Sequence, residues 1–238
     1  MIRTLIAAAV VIFCVSGCER HALFASNTAA TTKHDDGLPP GTKWQKGIHY
    51  DLIAPAQPAP ASGGKVQVVE FFWYGCPHCY TLEPHLVLWN KMNPDDVQFV
   101  RVPAAWHESS RVLARLFYTL QALGREDLHQ DVFDTIHRRD NPLESPDNDA
   151  AQTLTLQSEF AQNHGIDPQA FVAAYNSPGV ATAIRQAEQL ALRYQVTAVP
   201  TITVNGKYRT SLRQVGGCER DLTALLDEMV KQEHGGLH

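Results

Sequence analysis

The chain has little that would suit it to nucleic acid. Lysine and arginine number 20 against 25 aspartates and glutamates, a formal net charge of −5, and no segment carries a basic stripe, which argues against a polyanionic partner. Long apolar runs are also missing. The one candidate, Leu5 to Val15, lies behind Arg3 near the N-terminus and is too short for a comfortable permanent membrane span. There is no internal repeat and no low-complexity block beyond about residue 45. Cysteine is sparse, 5 in 238 residues, and only one Cys-x-x-Cys occurs. A closed zinc site, usually built from two well-separated ligand pairs, would lack its second pair, so no metal site is expected.

What is present begins with a targeting signal. A basic start, a short apolar core and Val15-Ser16-Gly17-Cys18 read as a secretory leader ending in a bacterial lipobox, with 1–17 removed and Cys18 lipidated as the first mature residue. Ordinary cleavage, after Ala25, is the alternative. Glu19 in place of aspartate favours an outer membrane over an inner one. Residues 18–45 are rich in Ala, Thr, Ser, Asn and Asp, with Pro39-Pro40-Gly41 near their end, and are expected to form a flexible tether. Either route exports the chain to a compartment where disulfides persist.

The chemistry is announced by Cys76-Pro77-His78-Cys79, directly after the apolar run Val66-Gln67-Val68-Val69-Glu70-Phe71-Phe72. That run lacks alternation and predicts a strand buried on both faces. A helix should follow, from Cys76 to about Met92, with Leu82, Leu86 and Trp89 on one face and Pro84 kinking it. The first thiol then sits at a helix N-terminus, where free N–H groups and the helix dipole favour the thiolate. Pro77 suits the first turn, and His78 offers Cys76 a donor or a positive charge. Glu70 is an acid in a strand of Val and Phe, so its pKa should be raised unless it is paired. Cys14 falls in the leader, and Cys218 is left over, expected as a small buried core residue.

Elsewhere Gly47 to Ile53 predicts a short first strand and Val97 to Val102 another. From residue 109 to 194 the period is helical almost throughout, marked by Val112, Leu116 and Leu120, then Leu128, Val132 and Ile136, then segments at Leu154–His164, Pro168–Tyr175 and Val180–Tyr194. Strand signals resume after Val199-Pro200, in Ile202-Thr203-Val204-Asn205-Gly206-Lys207-Tyr208, and a last helix spans about Glu219 to Lys231, with fraying after it. Periodicity supports an α/β domain interrupted by a helical insertion.

Glu70-Phe71-Phe72-Trp73-Tyr74-Gly75-Cys76-Pro77-His78-Cys79-Tyr80, together with Val199-Pro200 and Val204-Asn205-Gly206-Lys207-Tyr208, resembles the DsbA family of thiol:disulfide oxidoreductases from about Lys46 to about Lys231. The resemblance implies an α/β thioredoxin-like fold, 46–108 and 195–232, interrupted by a helical insertion domain, 109–194. It implies that Cys76 is the reacting sulfur, Cys79 its redox partner and Pro200 a cis-proline facing them. The Val199 backbone would pair with an extended client, beside His78. Glu70 would lie beneath the disulfide and relay a proton to or from Cys79, with Glu83 and Arg101 as a nearby charged pair. Trp73, Tyr74, Tyr80 and Trp106 are candidates to line a client groove.

The activity so implied is a periplasmic dithiol oxidase, monomeric and without cofactor, held at a membrane through Cys18. It would donate the Cys76–Cys79 disulfide to reduced exported polypeptides and be reoxidised by a DsbB-like, quinone-linked membrane partner. A reductase or isomerase of the same fold is the alternative. Pro-His between the cysteines weighs against the first, and the lack of room for an N-terminal dimerisation domain weighs against the second. A metal-binding lipoprotein using Cys76, Cys79 and His78 is the reading from another class.

Overall fold

Seven consecutive buried residues, Val66–Phe72, form the strand on which the fold is organised. A computed structural model of the protein describes residues 37–57 and 63–235, and the leader and Cys18 lie outside them. Five strands, β1 (Asp51–Leu52), β2 (Val66–Phe72), β3 (Val97–Pro103), β4 (Thr201–Val204) and β5 (Tyr208–Ser211), make one sheet in the order β1-β5-β4-β2-β3. β2 pairs with β3 in parallel and with β4 antiparallel. A parallel pair needs a crossover, and α1 (Pro77–Met92) supplies it. Between β3 and β4 come α2 (Glu108–Ala122), α3 (His129–Arg138), α4 (Ala150–Asn163), α5 (Pro168–Tyr175) and α6 (Pro178–Arg193), and α7 (Glu219–Gly235) closes the chain.

Strand alternation divides the burial of β2. Val66 and Val68 pack with Leu82, Leu86 and Trp89 of α1 and Leu222, Leu225 and Leu226 of α7. Val69 and Phe71 face the other way, against Ala187, Ala191 and Tyr194. Glu70 therefore shares a face with Val68 and Phe72 and points under α1. Phe72 joins a third cluster containing Cys76, Cys79, Leu116, Phe117, Phe133 and Phe171, in which the helical block meets the sheet.

The helix starts in the block follow from local sequence. Asp149, Asp167 and Ser177 each accept hydrogen bonds from backbone N–H groups of the first turn of α4, α5 and α6. Pro168 and Pro178 occupy first positions, where a missing N–H is harmless. In α1, Pro84 forfeits one internal bond, yet the helix continues to Met92.

Several boundaries differ from expectation. The first strand shrinks to Asp51–Leu52 because Gly47 to Tyr50 close a turn, Gly47 N–H donating to Tyr50 O at 2.7 Å. The tether does not run to residue 45: Trp44 is buried, Leu38 packs against the α1/α7 core, and Leu38 N–H donates to the Tyr50 hydroxyl at 2.8 Å. The last helix does not fray after Lys231. Glu233 accepts from Asn205 at 2.8 Å and pairs with Lys207 at 3.3 Å, which ties that turn of α7 to the β4–β5 hairpin. Cys218 is buried just ahead of α7.

Trp44→Ala should cost about 3–5 kcal/mol, as expected for emptying a buried aromatic site. Urea unfolding of the reduced protein checks this, and an unchanged midpoint would return residues before Lys46 to the tether.

Candidate active site

Cys76 is the residue preceding α1, with extended backbone (φ −89°, ψ 115°), and Pro77 opens the first turn. Gly75 is required just before it: a Cβ there would lie 2.4 Å from the Trp73 ring, so only glycine lets the indole fold over the loop. Both cysteines are present as thiols. Cys76 is 7% exposed at the rim and Cys79, inside α1, is sealed. Across the site the Val199–Pro200 peptide is cis, and Cys76 Sγ donates to Val199 O at 3.8 Å. Ala54–Pro55 is a second cis bond, which nothing in the sequence had suggested.

The two sulfurs differ sharply in how well they hold charge. The Cys76 pKa is lowered to about 6, chiefly because the Cys79 thiol donates to it. Burial opposes this, while the Cys79 and His78 amide N–H groups and the His78 charge assist. Cys79 is pushed well above the ordinary thiol range by burial first and then by Cys76 and Glu70. His78 itself is exposed.

Beneath the thiols lies a buried polar group. Glu70 stands in register with Arg101 across β2 and β3, with Arg101 Nε 3.6 Å from Glu70 Oε2. Neither Glu70 oxygen has a hydrogen-bond partner among the described residues. Burial pushes the Glu70 pKa up to about 8, with Glu83 adding to the rise and Arg101 opposing it. Arg101 binds Glu83 more closely, at 2.5 Å from Nη2. Burial acts against the Glu83 anion too, but His129 and Arg101 outweigh it and hold that carboxyl below its usual range. His129 and Tyr74 complete the group, Tyr74 Oη lying 2.8 Å from His129 Nδ1.

The structure thus brings Cys76, Pro77, His78, Cys79, Val199, Pro200 and Glu70 to one place, with the Glu83–Arg101 pair behind them. It does not make a client wall of the aromatics. Tyr74 is buried on His129. Tyr80 donates to Asp134 at 2.9 Å and stacks on His137 at 4.8 Å. Trp73 meets His107 edge-on at 5.2 Å, leaving Trp106 as the one substantially exposed ring of the four. The groove beside the thiols, of about 790 Å³, is lined instead by His78, Val199, Pro200, Arg209, Arg213 and Gln214, among others. His129 was missed because a lone histidine opening an amphipathic helix carries no signal of the sheet it will meet. No group of three or more His, Cys, Asp or Glu residues suited to a metal occurs among the described residues.

Residues 95–221 match the DSBA-like thioredoxin domain. The thiol:disulfide interchange protein DsbA of Pseudomonas aeruginosa is 41% identical over 185 residues, covering 77% of this chain and 83% of the relative. The chain belongs to the DsbA family. A second DsbA, from Azotobacter vinelandii, is 42% identical over 174 residues, 73% of this chain and 77% of that one. The crystal structure of Pseudomonas aeruginosa DsbA superposes with a TM-score of 0.73 at 35% identity, over 82% of this chain and 96% of that chain. The fold is therefore the α/β, thioredoxin-like fold of DsbA proteins.

Two measurements check the electrostatics of this DsbA-family site. Thiolate absorbance of the reduced protein should rise with a midpoint near pH 6 for Cys76, and Cys79→Ala, which removes the strongest stabilising donor, should move that midpoint upward by about one unit. For Glu70, the folded protein keeps a proton between about pH 4.5 and 8 that the unfolded chain has already released. Its contribution to stability therefore falls as pH rises through that window. Glu70→Gln should lose this component, on the order of 1–3 kcal/mol between pH 5 and 8 by urea unfolding. Parallel pH profiles for the two proteins would refute the assignment.

Proposed function

We propose that the protein is an exported thiol:disulfide oxidase whose reacting sulfur is Cys76. The observation that carries the reading is the pairing of a rim sulfur at a helix N-terminus with a sealed one, opposite the carbonyl of the residue before cis-Pro200. A client thiolate attacks Cys76 Sγ of the disulfide form. The Cys76–Cys79 bond breaks, its electron pair goes to Cys79 Sγ, and a mixed disulfide joins client and Cys76. Charge on Cys79 is costly, so the sulfur must take up a proton. Glu70, protonated at neutral pH and electrostatically linked to Cys79, is the acid that supplies it. A second client thiolate then attacks the client sulfur and expels Cys76 as a stabilised thiolate. The client has lost two electrons and two protons; the protein is left reduced, with Cys79 as a thiol and Cys76 as a thiolate, and Glu70 regains from water the proton that it gave to Cys79.

The Val199 carbonyl, free of the sheet beside Pro200, gives an extended client a backbone partner, and His78 forms the opposite lip. The relatives' name, thiol:disulfide interchange protein, supports thiol-bearing polypeptides as clients; their export rests on the leader sequence, and a DsbB-like, quinone-linked membrane reoxidant rests on the family resemblance. Lipidation at Cys18, and an outer rather than inner membrane, rest on the leader sequence alone.

A thiolate stabilised at Cys76 stabilises the dithiol and makes the disulfide oxidising. The Cys76/Cys79 couple, equilibrated against glutathione, should have a potential above about −180 mV. A value at or below about −270 mV, the thioredoxin range, would make the protein a reductase.

A further inference from the structure

His129 is a buried titratable group that the thiol chemistry does not touch. It opens α3 and reaches into the contact between the helical block and the sheet, 7% exposed. Its ring is caged by Phe72 at 5.0 Å and Phe133 at 5.1 Å, both edge-on, with Phe117 at 6.0 Å. That cage fixes where the two nitrogens point. Nδ1 lies 2.8 Å from the Tyr74 hydroxyl, and Nε2 faces Glu83 Oε2 at 3.5 Å, an electrostatic contact, with no hydrogen-bond partner of its own among the described residues.

The tautomer follows from these neighbours. The Tyr74 hydroxyl is a donor whose ionisation is strongly opposed by burial, so it donates to Nδ1. A neutral imidazole then carries its proton on Nε2, aimed at the carboxylate. Burial lowers the His129 pKa, so neutral is the form at physiological pH. The other charged groups facing this cluster are Glu70 from β2, Arg101 from β3 and Glu83 from α1, with Cys76 and Cys79 above them. One guanidinium serves two carboxyls, so the group is charge-balanced when the carboxyls hold one proton between them. Arg101 hydrogen-bonds Glu83 through Nη2 and Nε and comes only within 3.6 Å of Glu70, so it favours the ionised form at Glu83.

We propose that His129 is a positioning residue that secures this choice together with Arg101: its Nε2–H, facing Glu83, favours the ionised form there and leaves the shared proton on Glu70, beside the cysteines. The helical block thereby sets the protonation state of an acid in the sheet that it does not itself touch. This rests on reading Glu70 as the proton donor to Cys79, and the test separates the two ideas.

The reduced protein, carrying ¹³C-labelled glutamate carboxyls and ¹⁵N-labelled histidine, would be followed by NMR. In the unaltered protein at pH 6, Glu70 should be protonated, Glu83 ionised, and His129 neutral with its proton on Nε2. In His129→Leu the single proton should spread over both carboxyls, moving the Glu70 resonance at pH 6 by about a third or more of its full titration range toward the ionised value. His129→Gln can accept from Tyr74 and donate to Glu83, and should restore the unaltered pattern. Glu70 ionised in the unaltered protein at pH 6 would overturn the Glu70 reading and this inference with it. Glu70 protonated there but unmoved in His129→Leu would overturn this inference alone. Should that variant not fold, a proton on Nδ1 of the unaltered protein, or an imidazolium at pH 7, overturns it equally, and the Nε2 tautomer supports it.

Discussion

Negative charge costs less at Cys76 than at Cys79, and the site is built around that difference. The two sulfurs are separated by less than one helical turn, yet one meets the free N–H groups that begin α1 and the other meets the apolar contact between α1 and the helical block. A disulfide between such unequal partners reacts unequally. Cys76 is the sulfur within a client's reach and, in the second exchange, the better leaving group. The first exchange is the harder one, because it expels Cys79 into surroundings that reject an anion. On the proposed mechanism, that is why a neutral acid beneath Cys79 matters.

That requirement explains a feature that would otherwise count against the fold. A carboxyl in the middle of a strand of Val and Phe, with both oxygens lacking a hydrogen-bond partner among the described residues, is destabilising as an anion. Keeping it as a neutral acid reduces the cost, and the reduction depends on where the nearest positive charge is spent. Arg101 approaches Glu83 to 2.5 Å and Glu70 only to 3.6 Å. The guanidinium neutralises Glu83 and leaves Glu70 able to hold a proton at neutral pH. Had the preference been reversed, Glu70 would be an ionised base facing two sulfurs, and Cys76 would lose part of its stabilisation to repulsion.

Much of this was legible in the residues. The unalternating run before Cys76 gave a central strand, and Cys-Pro-His-Cys after it gave the helix N-terminus. A lone glutamate among valines and phenylalanines marked a perturbed acid. Val199-Pro200 ahead of a strand pair was assigned a cis bond through the family likeness, since proline at a strand start has no such meaning alone. What was not legible depends on contacts between distant segments. Leu38 and Trp44 sit in a polar stretch that looks like linker, and only the Tyr50 hydroxyl and the α1/α7 core show why they are held. Glu233 extends α7 because a hairpin some thirty residues earlier supplies Asn205 and Lys207. The surroundings of Trp73, Tyr74 and Tyr80 come from α3 and from His107, beyond the reach of local pattern.

The placement of α3 also accounts for the character of the open side. His129, Asp134 and His137 hold Tyr74 and Tyr80 through hydrogen bonds at 2.8, 2.9 and 2.7 Å, the last from His137 to the Tyr74 carbonyl. The aromatic residues next to the cysteines are thus committed to fixing the loop rather than to receiving a client. The groove opposite is left to His78, Val199 and a polar floor. There Arg209 is already engaged by Asp51 and by the Gln195 carbonyl. Such a floor gives an extended chain places to hydrogen-bond but no deep apolar socket for one particular side chain. Discrimination then falls on backbone shape and on the presence of a reactive thiol, and these are features that unfolded cysteine-containing chains share whatever their sequence.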